Sequence, residues 1–193
     1  MEVGGDGDNG GLALVLAALG WRTTCSGLQA PTPAKLELHQ RHGVDERITY
    51  ERLDVLSPPT SPSYDLVVVK STLGHVGQDE RFDLQRRAVR HLHALVRPGG
   101  ELWVLENGAA TRLHRMGRRR LGAGRYGWRY LTPDELDVLL APFASRQRAS
   151  FGVAGAGGRT QRQRAVLGRL GTPVVGRGTP APLPYVLGGG AGP

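Results

Sequence analysis

The sequence predicts an α/β domain built on a doubly wound, mostly parallel sheet with helices on both faces. Three observations carry this. Strand-like and helix-like segments alternate from residue 1 to residue 106, the pattern of a parallel sheet joined by helical crossovers. Tyr64 to Lys70 (YDLVVVK) and Glu101 to Glu106 (ELWVLE) have apolar centres, as strands covered on both faces require. Right-handed crossovers then leave only a few topologies.

The elements follow in order. Residues 1–4 can only be the end of a strand. Gly5 to Gly11 is a glycine–acid turn. Leu12 to Leu19 is apolar almost all round, which predicts a helix buried against the sheet. Arg22 to Ser26 is a short β-type run. Pro33 to His42 is helix-like, with Gly43 as its C-terminal glycine. Ile48 to Asp54 alternates as a strand does, and the proline-rich Ser57 to Ser63 is a loop. Arg81 to Val96 carries Phe82, Leu84, Ala88, Leu92 and Leu95 near helical spacing. Pro98-Gly99-Gly100 is a turn. Thr132-Pro133-Asp134-Glu135 opens a further helix with a capping box. Arg146 to Val153 and residues 183–187 are weaker strand candidates. Trp21 and Trp103 read as packing residues.

Composition bounds the class. The 193 residues, 39% apolar, suit one domain over residues 1–187, with 188–193 as a disordered glycine tail. No apolar run approaches the eighteen residues of a membrane span. Acids and glycines stand where a signal peptide needs a basic start and an apolar stretch. Cys25 is the only cysteine, which excludes an internal disulfide and makes a reducing cytoplasm the expected compartment. The net charge is +8, and Lys35 and Lys70 are the only lysines, so the other 23 of the 25 basic residues are arginine. That usage fits GC-rich coding as well as an anionic partner.

In an open α/β sheet the ligand sits at the carboxyl ends of the strands. The opening E-V-G-G-D-G-D-N-G-G is a strand, a glycine turn and a helix start, where backbone N–H groups are free to meet a ligand. Gly5 to Gly10 formally matches the G-x-G-x-x-G dinucleotide fingerprint. Against that reading, the second strand ends Cys25-Ser26-Gly27 without an acid, and Asp6 and Asp8 would repel a pyrophosphate. A cationic, phosphate-free ligand such as S-adenosylmethionine suits those carboxylates better. Asp8 or Asn9 could equally serve as the helix cap.

The order of the pieces is more specific. E-V-G-G, then Asp54 closing I-T-Y-E-R-L-D, then Y-D-L-V-V-V-K-S-T-L-G-H-V, then L-V-R-P-G-G-E-L-W-V-L-E and Y-L-T-P-D-E-L together resemble a class I S-adenosylmethionine-dependent methyltransferase of the small-molecule type. The resemblance covers roughly residues 1 to 152 and implies a Rossmann-like, seven-stranded sheet with an antiparallel last hairpin. It implies that Glu2 contacts the amino group of the cofactor's methionine moiety and that Gly4 is the first motif glycine, with Gly5 and Asp6 continuing the turn. It implies that Asp54 bonds the adenine amino group with Val55 beside it. Lys70 to Leu73 fall in the loop that closes over the cofactor. The chain departs from the family at Asp6 and Asp8, which replace motif glycines, and at Ser26 or Gly27, where a ribose-binding acid is expected. The family's N-terminal helices are absent before Met1, which points to a truncated or degenerate member as an alternative.

Methyl transfer is an in-line displacement helped mostly by positioning. His75 is the candidate acid–base or acceptor-pocket residue. His39 and His42 are three apart on a helix, but no acid completes a metal site. Residues 112–131 form a basic cap or loop, with seven arginines at 112, 115, 118, 119, 120, 125 and 129 and aromatic residues between Tyr126 and Tyr130. The expected activity is methyl transfer from S-adenosylmethionine to a small organic acceptor. The alternatives are a non-catalytic partner protein of the same fold and an RNA methyltransferase using the arginine segment.

Overall fold

A computed structural model describes residues 1–5, 10–57, 64–106, 127–147 and 189–190. Among the described residues seven strands form one sheet: β1 (Glu2–Val3), β2 (Thr23–Gly27), β3 (Ile48–Arg52), β4 (Tyr64–Lys70), β5 (Val96–Leu105), β6 (Ser145–Arg146) and β7 (Gly189–Gly190). The helices are α1 (Gly11–Ala18), α2 (Pro33–Arg41), α3 (Leu73–Val76), α4 (Phe82–Leu95) and α5 (Pro133–Leu139). The strand order is β3-β2-β1-β4-β5-β7-β6. The pairs among β1 to β5 are parallel, whereas β7 runs antiparallel to both β5 and β6. The doubly wound, mostly parallel sheet is therefore present. The chain builds outward from β1 to β3 and then returns to the other side of β1 with β4, so the switch point lies between β1 and β4.

The larger core joins Val67 and Val69 of β4, Leu102 and Val104 of β5, Leu92 and Leu95 of α4, and Leu136 of α5. Residues 66 to 69 are all buried, as a strand covered on both faces must be. In α4 the residues Ala88, Val89, Leu92 and Leu95 fall on one buried face, with the 3.6-residue period of an amphipathic helix. A smaller core on the β2–β3 side holds Ala13, Ala17, Cys25, Val44 and Ile48.

Local signals set several boundaries. Thr32 accepts from the Lys35 N–H at 3.3 Å, and Pro33 occupies the first turn of α2. Gly43 ends that helix with φ +63. Thr132 and Glu135 form the reciprocal capping box of α5, at 3.2 and 2.9 Å. The Pro98-Gly99-Gly100 turn is a looped-out irregularity inside β5, because Tyr64 pairs Val96 while Leu66 pairs Glu101.

Two expectations need correction. Helix α1 is not buried all round: only Ala13 and Ala17 are buried, while Val15 is 53% and Leu19 71% exposed. Two alanines one turn apart bring the helix close to the sheet along a narrow strip; Leu14 packs partly buried beside it, while Val15 and Leu19 stay outside. Trp21 and Trp103 are 48% and 40% exposed, so neither is a core residue. Within the 188–193 stretch expected to be a disordered tail, Gly189 and Gly190 add strand β7 through the backbone alone. Of the expected 146–153 strand, Arg146 falls in the two-residue β6 and Gln147 lies beyond its end, while residues 148–153 lie outside the described residues. So do the 58–63 loop and the 183–187 strand. Among the described residues no helix is long and apolar enough to cross a membrane.

Candidate functional site

The carboxyl ends of β1 and β4 meet at the switch point, where this architecture places ligands. After β1 the chain turns over β2. The Gly4 and Gly5 amides both donate to the Ser26 carbonyl, at 3.1 and 3.0 Å, and the Ser26 hydroxyl donates to the Glu2 carbonyl at 2.8 Å. Gly4 has φ +82, and a Cβ there would collide with the Thr72 hydroxyl. Thr72 in turn donates to the carbonyls of Lys70 at 3.1 Å and Val3 at 3.4 Å. Ser71 between them holds φ +53, a conformation that costs a non-glycine residue energy. The two loops that the sequence assigned to the site, after β1 and after β4, are therefore in contact.

Glu2 is buried beneath this turn. Its Oε2 accepts from the Ala13 N–H at 2.9 Å and from the Cys25 thiol at 3.5 Å. It holds the start of α1 against the end of β1. Helix α2 grips the turn from the other side. The Lys35 ammonium donates to the Gly5 carbonyl at 2.7 Å, and His39 Nε2 meets the Gly10 carbonyl at 3.1 Å. A carbonyl only accepts, so His39 carries its proton on Nε2, and Nδ1 accepts from the Tyr50 hydroxyl at 2.7 Å. Burial, reinforced by Cys25 and Asp45, pushes the Tyr50 phenol above its ordinary range, which keeps it a donor. His39 is thus a structural residue; this contact was not foreseen, because the helix gives no hint of what lies 29 residues upstream of it. Asp6 lies outside the described residues.

Asp54 follows β3, two strands from β1 and so about 10 Å across the sheet. The Leu53 N–H donates to the Gly27 carbonyl at 2.8 Å, tying this end to β2. Asp54 is exposed, and its Oδ1 accepts from the Leu56 N–H at 2.9 Å, which fixes the carboxylate at the rim. Val55 is buried, and its carbonyl accepts from His91 Nδ1–H at 3.0 Å. Lys70 is half-buried at the end of β4.

On the β4–β5 side, His75 is exposed on α3 and sits edge-on to Trp128, with ring centres 5.9 Å apart. Glu106 stands just after β5, among the strand-end residues that the ligand rule marks. It is buried, and its Oε1 accepts from the Leu73 N–H at 2.6 Å, fixing the first turn of α3. Of the seven arginines in the 112–129 segment only Arg129 is described, and it belongs to the interior. It bonds Glu135 and donates to Gln85 at 2.8 Å. It lies 3.3 Å from Glu80 and stacks 4.8 Å over the Phe82 ring. A nucleic acid could not use it without dismantling that network.

The residues accommodate an adenosyl cofactor only in part. Asp54 presents a rim carboxylate, and the glycine turn lies two strands away. The end of β2, at Ser26 and Gly27, has no carboxylate for a ribose diol.

No protein-family model matches the chain, and no curated protein does. Solved structures do. The S-adenosylmethionine-dependent methyltransferase SibL aligns with a TM-score of 0.61 at 16% identity over 100% of this chain, which spans 50% of SibL. The 1,6-didemethyltoxoflavin-N1-methyltransferase of Burkholderia thailandensis, solved with 1,6-didemethyltoxoflavin and S-adenosylhomocysteine, aligns at 0.59 and 19% identity, over 100% of this chain and 70% of that one. The [4+2]-cyclase SpnF aligns at 0.61 and 17% identity, over 99% and 73%. The chain thus spans half the length of the first of these and more of the others. Strand order and these likenesses agree: the chain has the Rossmann-like fold of the class I S-adenosylmethionine-dependent methyltransferases.

Proposed function

We propose that the chain binds S-adenosylmethionine at the β1–β4 switch point and transfers its methyl group to a small organic acceptor. The observation that supports this best is the strand order β3-β2-β1-β4-β5-β7-β6 with β7 antiparallel, which puts the glycine turn, Asp54 and the Lys70–Thr72 loop at one end of the sheet. When bound, the cofactor supplies a methyl group activated by its sulfonium. The chain's own residues position it. Gly4 and Gly5 form the turn, and Glu2 holds that turn to α1. Asp54 accepts from the adenine amino group with Val55 beneath. Lys70 borders the seat from β4. His75, exposed next to Trp128, takes a proton from an acceptor whose nucleophilic atom carries one.

One observation favours a second reading, a partner protein of this fold that does not methylate. The missing carboxylate at Ser26 and Gly27 removes charge-assisted hydrogen bonds worth about 1.5–3 kcal/mol each. The [4+2]-cyclase likeness shows that the fold alone does not fix the reaction. Calorimetry separates the two. Saturable heat with S-adenosylmethionine and S-adenosylhomocysteine, weakened about tenfold or more by Asp54→Ala, supports the transferase. Absence of heat at millimolar cofactor removes it.

A further inference from the structure

Between the first turn of α2 and the carboxyl ends of β2 and β3 lies a cavity of ≈ 240 Å³. Its wall includes Lys35, Arg52, Gln29, Tyr50 and Cys25. Lys35 is only 4% exposed, and among the described residues its ammonium donates one hydrogen bond, to the Gly5 carbonyl. An ammonium has three donors. Among the described residues no carboxylate lies within ion-pair distance of it. The two nearby acids are engaged elsewhere. Glu2, across Gly5, accepts from Ala13 and Cys25, and Glu51, also on the wall, accepts from the Tyr64 hydroxyl at 3.1 Å. The Arg52 guanidinium has no partner among the described residues either.

A buried ammonium is costly unless paired; among the described residues Lys35 faces no carboxylate, and a cavity lined by that ammonium and a guanidinium offers a place for an anion. We propose that this cavity binds a small phosphate-bearing anion, held by Lys35 and Arg52 with the Gln29 amide. A phosphate is favoured over a carboxylate because a tetrahedral dianion satisfies both cations at once and accepts from donors in several directions. The volume is below the roughly 300–1,000 Å³ of pockets for drug-sized ligands, so the ligand is free phosphate or a small phosphomonoester. The wall also includes Ser26 and Gly27 at the end of β2, so the cavity borders the proposed cofactor seat; S-adenosylmethionine carries no phosphate, so a phosphate titration without cofactor tests this site apart from the methyl-transfer reading.

Calorimetry on the full chain in phosphate-free buffer tests it, with inorganic phosphate in one arm and glycerol 3-phosphate in the other. Sodium chloride at matched ionic strength is the control. Saturable binding that chloride does not reproduce is expected, weakened about tenfold by Arg52→Gln and abolished by Lys35→Met. The arm with the tighter binding identifies the source. Arg52 is exposed and outside both cores, so Arg52→Gln decides the matter even if Lys35→Met fails to fold. Heat that chloride reproduces, or binding unchanged by Arg52→Gln, overturns the proposal.

Discussion

Glu2 and Glu106 do the same work on two strands of the sheet. Each is a buried carboxylate, at β1 and just past β5, and each accepts the N–H of a residue opening a helix: Ala13 at 2.9 Å and Leu73 at 2.6 Å. Both loops of the switch point depend on them. Replacing either by alanine leaves a buried N–H without its acceptor, a loss of about 1–3 kcal/mol. Urea unfolding should show Glu2→Ala and Glu106→Ala destabilised by that amount, with glutamine recovering part of it. Wild-type midpoints in both would disprove the shared role.

Gly4 and Gly11 should respond oppositely to alanine. At Gly4 the positive φ and the Thr72 hydroxyl both oppose a Cβ, so Gly4→Ala should cost at least ~1–2 kcal/mol from backbone strain alone and weaken any ligand of the switch point. At Gly11 nothing lies within 4 Å and the backbone is helical. There alanine should stabilise by up to ~1 kcal/mol. Thermal melts of the two variants give the comparison.

The Glu135 carboxyl titrates below its ordinary range. Burial pulls its pKa upward, but the Arg129 bond and the Thr132 N–H outweigh that and lower it. A depressed folded-state value means that the stabilisation is complete above the unfolded value and is lost as pH falls through the folded one. Unfolding free energy should therefore drop between roughly pH 5 and pH 3, and Glu135→Gln should flatten that part of the curve. Arg129→Met should cost about 2–4 kcal/mol at neutral pH, since it strands Gln85 and Glu135 together.

Leu92 and Leu19 separate core from surface. Leu92 is fully buried between α4 and the sheet, so Leu92→Ala should cost about 2–5 kcal/mol. Leu19, largely exposed at the end of α1, should change stability by less than about 0.5 kcal/mol. Equal effects would mean that α1 packs against something on its open side.

What was legible in the sequence was local or doubly buried. Tyr64–Lys70 is a strand at the expected residues because both its faces are covered, and the Thr132–Glu135 box depends only on neighbours. The two site loops were found through the general rule for strand ends. What escaped notice depends on distant partners. Helix α3 is a single turn set by a carboxylate 33 residues away, too short for any period. Arg129 looked like one charge in a basic run until Gln85 and Glu135 closed round it. Lys35 and His39 showed no pattern, because their targets are backbone carbonyls of another loop. Strand β7 has no side chains to betray it.

Cys25 lies with its sulfur against the underside of the Gly5 bend. Being the only sulfhydryl of the protein, it is a ready-made clock. An alkylating reagent can reach it only in those moments when the bend lifts, so its labelling rate would count how often the molecule breathes there, and a ligand seated above would slow the count.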